Sequence, residues 1–192
     1  MRLTKLAPLA LLLGWLLASG VLPASATSLS INPLSLTVDV GQSFTLAVAL
    51  DSVSDLYAFG FDLAFDPTIL AATLVVDGSF LSGCCFNAGT IDNTAGTIVD
   101  ITDTLSGPDP GVSGSGDLAL ISFQALAAGT SAITLANAIL LDSNLQDILL
   151  VSTLRGTVTV GSAAIPEPGT WLLLATGSAA LLGYGWRSRR IA

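Results

Sequence analysis

The residues that could do chemistry in this chain are almost all aspartates. Thirteen of the fourteen acidic residues are aspartates between residues 27 and 165, and that stretch contains no His, Lys or Glu. The usual catalytic bases, nucleophiles and zinc ligands are therefore scarce. Two carboxylates can hydrolyse glycosides, and Asp62 and Asp66, four residues apart on one face of a predicted strand, are the nearest candidates. Solvated aspartates on a strand face are far commoner than catalytic ones, so we predict no catalytic residues and no enzymatic activity.

Aspartates could also hold calcium, which takes carboxylate and carbonyl oxygens. Residues 142–147 begin like an EF-hand loop, but Asp147 stands where that loop needs glycine and Thr153 where it needs a bidentate glutamate. A hairpin turn explains the segment better. Asp51 and Asp55 are a second calcium candidate with nothing further to support them. We therefore predict no metal site and no cofactor.

Cys84 and Cys85 are the only two cysteines. Because they are adjacent, they cannot join distant parts of the chain in an oxidising compartment. The alternatives are a vicinal disulfide, an intermolecular disulfide or two buried thiols. The pair is a candidate disulfide, but it lacks the C-x-x-C spacing of redox enzymes, which argues against a catalytic role.

The charge and the aromatic content of residues 27–165 restrict the partners. One basic residue, Arg155, stands against thirteen aspartates, a formal charge of −12. Such a surface repels phosphate backbones and anionic lipid, so nucleic-acid binding is excluded. The stretch has no Trp and a single tyrosine, Tyr57. This counts against a carbohydrate site built on stacked rings, though not against hydrogen-bonded contact with a glycan.

Alternating hydrophobicity predicts that the same stretch consists of short strands. Apolar side chains alternate with polar or small ones over residues 43–50 and 59–66, which is typical of half-buried antiparallel strands. Turn residues occur at positions 66–67, 77–78 and 93–96. Further strands are predicted at residues 96–102, 118–126, 131–136, 138–141, 148–151 and 155–160, and an exposed loop at residues 106–116. Many short strands without a helical period indicate an all-β sandwich.

Five segments follow one another in a recognisable order. They are residues 40–44 (VGQSF), 56–70 (LYAFGFDLAFDPTIL), 118–125 (LALISFQA), 128–131 (AGTS) and 156–160 (GTVTV). Together they resemble a cohesin domain. The resemblance implies a cohesin-like jelly-roll β-sandwich over residues 27–162, of the kind that holds dockerin modules in cellulosomes. It rests on core and turn residues and carries over no individual contact residue.

The first 26 residues have the parts of a secretory signal peptide. Arg2 and Lys5 form a basic region, and residues 9–17 form a short apolar one. Ala24 and Ala26 make an A-x-A site for signal peptidase, so the mature chain is predicted to begin near residue 27. The alternative, an uncleaved anchor helix, is disfavoured because the apolar run is short.

The last thirty residues combine a proline-stiffened motif, an apolar run and a basic tail. The motif is Pro166, Glu167 and Pro168, the apolar run is residues 171–186, and the tail contains Arg187, Arg189 and Arg190. This order resembles the PEP-CTERM sorting signal of Gram-negative bacteria. The resemblance implies that residues 163–192 form a sorting segment with one transient transmembrane helix. It also implies processing by an exosortase-type membrane protease. The alternative is a plain C-terminal anchor.

The two ends together predict export across the inner membrane, followed by release to the cell surface or the extracellular matrix. Our interpretation of the sequence is a non-enzymatic binding or structural protein of the exopolysaccharide matrix, with a polysaccharide or protein ligand. The alternative is a protein-recognition module that recruits a dockerin-like partner.

Overall fold

The computed structural model describes residues 26–82, 84–162, 174 and 176–178. Three predicted features therefore lie outside the described residues: the signal peptide with Ala24, the Pro166-Glu167-Pro168 motif, and the basic tail with Arg187, Arg189 and Arg190. Ala26 is exposed at the start of the described chain, and Leu174 and residues 176–178 are helical. Within the described residues, no helix has both the length and the hydropathy that a membrane span requires.

The described part of the chain folds into eleven strands in two sheets. The strands are β1 (Ser28–Asn32), β2 (Ser35–Asp39), β3 (Ser43–Leu56), β4 (Ala58–Ala64), β5 (Leu70–Asp77), β6 (Thr90–Asp92), β7 (Thr97–Thr104), β8 (Val112–Ala125), β9 (Gly129–Leu141), β10 (Ser152–Leu154) and β11 (Gly156–Gly161). One sheet has the order β10-β1-β3-β8-β5, and the other has the order β2-β11-β9-β4-β7-β6. The predicted all-β sandwich is confirmed.

At each end of the sandwich domain, two consecutive strands lie in different sheets. β1 pairs antiparallel with β3 in one sheet, and β2 pairs parallel with β11 in the other. The chain changes sheets between them at Pro33, which follows a cis peptide bond. At the other end, β10 pairs parallel with β1, and β11 pairs antiparallel with β9. The terminal strands therefore tie the two sheets together along one side.

Inward-facing side chains of both sheets form a single core. Phe123 of β8 lies at its centre, stacked on Phe44 with ring centroids 5.7 Å apart and edge-on to Phe65 at 5.3 Å. Such ring pairs add attraction to the burial of apolar area. The buried core cluster extends from Leu29 to Val160. Residues 27–162 therefore contain the whole described core.

Three details of the predicted strands are wrong. Residues 112–116, expected in an exposed loop, form the first part of β8. They pair there because the hydroxyls of Ser113 and Ser115 accept the N–H groups of Asp55 and Ser52, two residues with positive φ in β3. Residues 131–136 and 138–141 belong to one strand, β9, which a bulge interrupts. Residues 148–151 lie just before a strand, β10, rather than in one.

Candidate functional site

The outer face formed by β9, β4 and β7 is the candidate site. In β4 the side chains of Phe59, Phe61 and Leu63 are buried, and the alternate positions face outward. Those outward residues are Ala58, Gly60, Asp62 and Ala64. Three of the four have a small side chain or none, so the centre of the face is flat.

Asp62 holds a bulge in each neighbouring strand. Its Oδ1 accepts the backbone N–H of Asp100 on β7 at 2.9 Å, and its Oδ2 accepts Nδ2–H of Asn137 on β9 at 2.6 Å. Asp100 and Asn137 have φ values of 62° and 51°, and the strand registers shift beside both. Aspartate and asparagine tolerate this left-handed conformation better than most residues. Asp62 therefore clamps the face on both sides.

The bulges place two apolar side chains on this face. Val99, next to Asp100, is 37% exposed, and Ile139, two residues beyond Asn137, is 54% exposed. They lie on opposite sides of β4, with the hydrogen-bonded Asp62 between them. A flat surface that carries exposed apolar side chains is suited to covering by another protein.

The structure gives Asp62 and Asp66 separate local roles. Asp66 Oδ1 accepts the backbone N–H of Thr68 at 2.9 Å and its hydroxyl at 2.6 Å. The hydrogen bond from the Thr68 hydroxyl lowers the pKa of Asp66 most, and the one from the Thr68 backbone N–H lowers it further. Asp62 instead accepts bonds from β7 and β9. The hydrogen bonds of Asp66 favour its ionised form, which does not suit the acid of an acid–base pair.

The aspartates considered as calcium ligands accept hydrogen bonds from protein groups. Asp51 Oδ1 accepts the hydroxyl of Ser115 at 2.5 Å, and Asp55 Oδ2 accepts the hydroxyl of Ser143 at 2.7 Å. The Ser143 hydroxyl is the main cause of the lowered pKa of Asp55. Asp142 Oδ1 accepts backbone N–H groups within its own turn. Within residues 26–82 and 84–162, no three His, Cys, Asp or Glu side chains group as metal ligands.

Two family models match the chain. The cohesin-domain model matches residues 30–160, and the PEP-CTERM protein-sorting motif matches residues 164–190. The chain belongs to the cohesin family. Both resemblances inferred from the sequence are confirmed, and the cohesin domain is followed directly by a sorting motif.

Solved cohesin structures share this fold at low sequence identity. A non-cellulosomal cohesin from Archaeoglobus fulgidus is 18% identical, with a TM-score of 0.61 over 73% of this chain and 94% of that one. A type I cohesin in a cohesin–dockerin complex from Clostridium thermocellum is 14% identical, with a TM-score of 0.61 over 71% and 94%. A type II cohesin from the Acetivibrio cellulolyticus cellulosome is 16% identical, with a TM-score of 0.60 over 70% and 95%. No curated protein matches the chain.

A carboxyl pair that the sequence analysis missed lies in the cohesin domain. Asp77, at the end of β5, has a buried Oδ1 without a hydrogen-bond partner in the described structure. Burial raises the pKa of Asp77, and the nearby charge of Asp103 raises it further. Asp103 is itself buried, on β7 of the opposite sheet. The sequence contained one signal for the burial of Asp103. It follows the apolar Ile101 by two residues, and so lies on the same face of the strand.

We expect Asp77→Asn to raise the melting temperature of the domain at pH 7. A folded pKa above the unfolded one means that folding favours the protonated form, so stability falls as pH rises through the folded pKa. Because asparagine resembles the protonated acid, the substitution should make the melting temperature depend less on pH between pH 7 and pH 4.5. Thermal melts at both pH values measure this, with the exposed Asp109→Asn as control. A variant that loses stability at pH 7 would contradict the prediction.

Cys84 and Cys85 form a vicinal disulfide in the loop between β5 and β6. Both residues are exposed, and Cys84 Sγ lies 3.9 Å from the carbonyl oxygen of Thr104. We expect the double substitution Cys84→Ser and Cys85→Ser to change the melting temperature by only a few degrees. Adjacent cysteines close too small a ring to restrict the unfolded chain much. A loss well above roughly ten degrees would show that the pair supports the fold.

Proposed function

We propose that this protein is an exported recognition module whose cohesin domain binds a partner protein through the outer face of β9, β4 and β7. The observation that carries the proposal is the clamped, flat face with Val99 and Ile139 exposed on either side of Asp62. A compared structure from Clostridium thermocellum is a cohesin–dockerin complex. The proposed partner is accordingly dockerin-like.

The chemistry of the face supports a protein partner over a reaction. Apolar contact with Val99 and Ile139 would supply the buried centre, and Asp62 and Asp100 would supply acceptors for polar or basic groups of the partner. Asp62 already uses both carboxylate oxygens to hold the bulges. It therefore fixes the shape of the face and has no free role as a base. The domain acts by binding.

A polysaccharide ligand is the second candidate. It follows from the sorting motif, which supports delivery to the cell surface or the matrix. Every aromatic side chain among the described residues is buried or half-buried, and the Tyr57 hydroxyl donates to the carbonyl oxygen of Gly107 at 2.8 Å. This counts against stacking of a glycan on an exposed ring and leaves mainly hydrogen-bonded contact. The protein partner is the better supported of the two.

The sorting motif supports a processing step at the membrane as well as a final destination. The last strand of the domain ends at Gly161, and the motif begins at residue 164. We propose that an exosortase-type membrane protease acts on this segment while it still anchors the exported domain. The protein would then reach the cell surface or the extracellular matrix.

The face is tested by comparing matched charge insertions. Val99→Lys and Ile139→Lys, made separately, should each weaken capture of the partner from a host extract by roughly tenfold or more, as a buried charge at an interface centre does. The control, Leu74→Lys, is exposed on the other sheet and should bind like the parent. A glycan array with the same variants tests the second candidate. Equal losses in all three variants would contradict the proposed face.

A further inference from the structure

A cleft lies beside the recognition face, between β9 and the segment that follows it in the chain. Its volume is about 290 Å³, and it is lined by residues 138–140 on one side and residues 147–150 on the other. Six of these seven residues are apolar, and Asp147 is the exception. Mainly apolar side chains with a single charged group are typical of sites that hold one part of a ligand in a fixed orientation.

The cleft exists because the chain changes sheets after residue 148. Ile148 donates its N–H to the carbonyl oxygen of Leu140 on β9 at 2.8 Å. Three residues later, Val151 donates its N–H to the carbonyl oxygen of Thr27, beside β1 of the other sheet, at 2.9 Å. The segment between these two bonds therefore leaves β9, and a gap opens between them.

The turn that precedes this segment is fixed by hydrogen bonds. Asp142 Oδ1 accepts the backbone N–H groups of Asn144 at 2.8 Å and Gln146 at 2.9 Å. The Ser143 hydroxyl donates to Asp55 Oδ2 at 2.7 Å, which joins the turn to the end of β3. The cleft is therefore formed before a partner arrives, and this lowers the entropy cost of binding.

Two exposed apolar side chains connect the cleft with the recognition face. Leu149 is 80% exposed and Ile139 is 54% exposed, and both line the cleft. Ile139 also pairs with Gly60 of β4, at the flat centre of the face. Directly opposite residues of an antiparallel pair lie on the same face of a sheet. A protein that covers the face therefore reaches the cleft as well.

Asp147 supplies the charge in the lining. Its side chain is exposed, and no described residue donates a hydrogen bond to it. The carboxylates of Asp55 and Asp142 instead accept hydrogen bonds from the protein. With a formal charge of −12 over residues 27–165, the domain attracts cationic groups. Asp147 is therefore available to a lysine or arginine of a partner.

We propose that the cleft takes one large apolar side chain of the partner protein, of the size of leucine, isoleucine or phenylalanine, and that Asp147 pairs with a lysine or arginine beside it. The cleft acts together with the recognition face proposed above, on which this role depends, and it selects among partners that fit the face. An apolar anchor in a pocket supplies a large share of the binding energy, and a charge pair adds specificity. A glycan offers neither group, and within residues 27–165 a second copy of this chain offers only Arg155 as a cation.

Photo-crosslinking of the full chain in its host cells tests the occupant. The photoreactive residue p-benzoylphenylalanine replaces Leu149, Val99 or, as control, Leu126, which is exposed in the turn after β8. Mass spectrometry identifies the linked peptides. We expect Leu149 and Val99 to link to the same protein and Leu126 to link to neither segment of it. The segment linked from position 149 should carry a large apolar side chain with a lysine or arginine within about four residues, the spacing that keeps two side chains on one face of a helix or strand.

Charge reversal tests the role of Asp147 separately. Asp147→Lys should reduce linking from position 99 by roughly tenfold or more, because it places like charges together at the cleft. The control, Asp109→Lys, is exposed in the loop before β8 and should link like the parent. Reversing the charge of the partner's basic residue should restore linking to Asp147→Lys.

The outcomes separate the cleft from the recognition face. Linking from position 99 but not from position 149 overturns the cleft and leaves the face standing, and linking from neither position contradicts both. A segment linked from position 149 that lacks either the apolar or the basic side chain also overturns the cleft proposal. So does a link from position 149 to a second copy of this chain, or parent-like linking by Asp147→Lys.

Discussion

Replacing Glu167 by alanine should leave the exported protein uncut in the inner membrane, still carrying Arg187, Arg189 and Arg190. In the parent we expect the segment from near Pro168 to Ala192 to be removed. The sorting motif matched at residues 164–190 is the basis for this expectation. Because the change decides whether the chain is released, we expect an almost complete shift from the short form to the long one.

The physical reason lies in the length of the apolar run and the stiffness of the motif. Residues 171–186 would span about 24 Å as a helix at 1.5 Å per residue. That is less than the roughly 30 Å of the hydrocarbon core, so the flanks should lie close to the interface. Proline restricts both its own backbone and that of the preceding residue. The two prolines should therefore hold Glu167 extended just outside the bilayer, where a membrane protease can reach it.

Mass spectrometry of the protein from cell fractions measures the result. Thr170→Ala, in the same spacer but outside the motif, is the matched control and should be processed like the parent. Removing the three arginines should instead weaken retention before processing, because we expect them to hold the tail on the cytoplasmic side. A surface-localised parent that still ends in Ala192 would show that the segment is a plain anchor.

Local patterns predicted the fold well because the sandwich is built from alternating strands. Alternation over residues 59–66 predicted β4, and the turn residues at 93–96 predicted the turn before β7. Residues 112–116 were predicted as a loop because they are rich in serine and glycine. The prediction failed because their pairing depends on hydroxyls that reach β3. Such a contact joins residues about sixty positions apart and leaves no local pattern.

The candidate site was harder to predict for the same reason. Asn137 and Asp100 stand inside strands, where their side chains are unusual, and this could have indicated bulges. That one carboxylate holds both bulges depends on β4 lying between β7 and β9, at separations of 38 and 75 residues. The buried Oδ1 of Asp77 and its nearness to Asp103 likewise depend on the way the two sheets pack. The sequence analysis considered Asp62 only as a candidate for hydrolysis and Asp77 only as a turn residue, and it gave Asp100 and Asn137 no role.

Phe61→Ala should destabilise the cohesin domain by roughly 3–5 kcal/mol, as removal of a buried phenylalanine usually does. Phe61 is 2% exposed and stacks against Phe59 with ring centroids 5.7 Å apart. Its loss removes apolar burial and leaves a cavity that the two sheets cannot fully close. Since small domains are typically stable by about 5–15 kcal/mol, the change removes a large share of the total.

Urea unfolding of residues 27–162, followed by far-ultraviolet circular dichroism, measures the loss. The midpoint should fall while the slope of the transition stays unchanged, because the surface exposed on unfolding is nearly the same. Leu74→Ala, at an exposed position, should cost less than about 1 kcal/mol. Adding a chelator should leave the unfolding midpoints of the parent and the variants unchanged. Since Phe61 precedes Asp62 directly, the variant should also bind the partner more weakly where the fold survives. A parent-like midpoint for Phe61→Ala, or a fold that collapses on chelation, would contradict this account of the core.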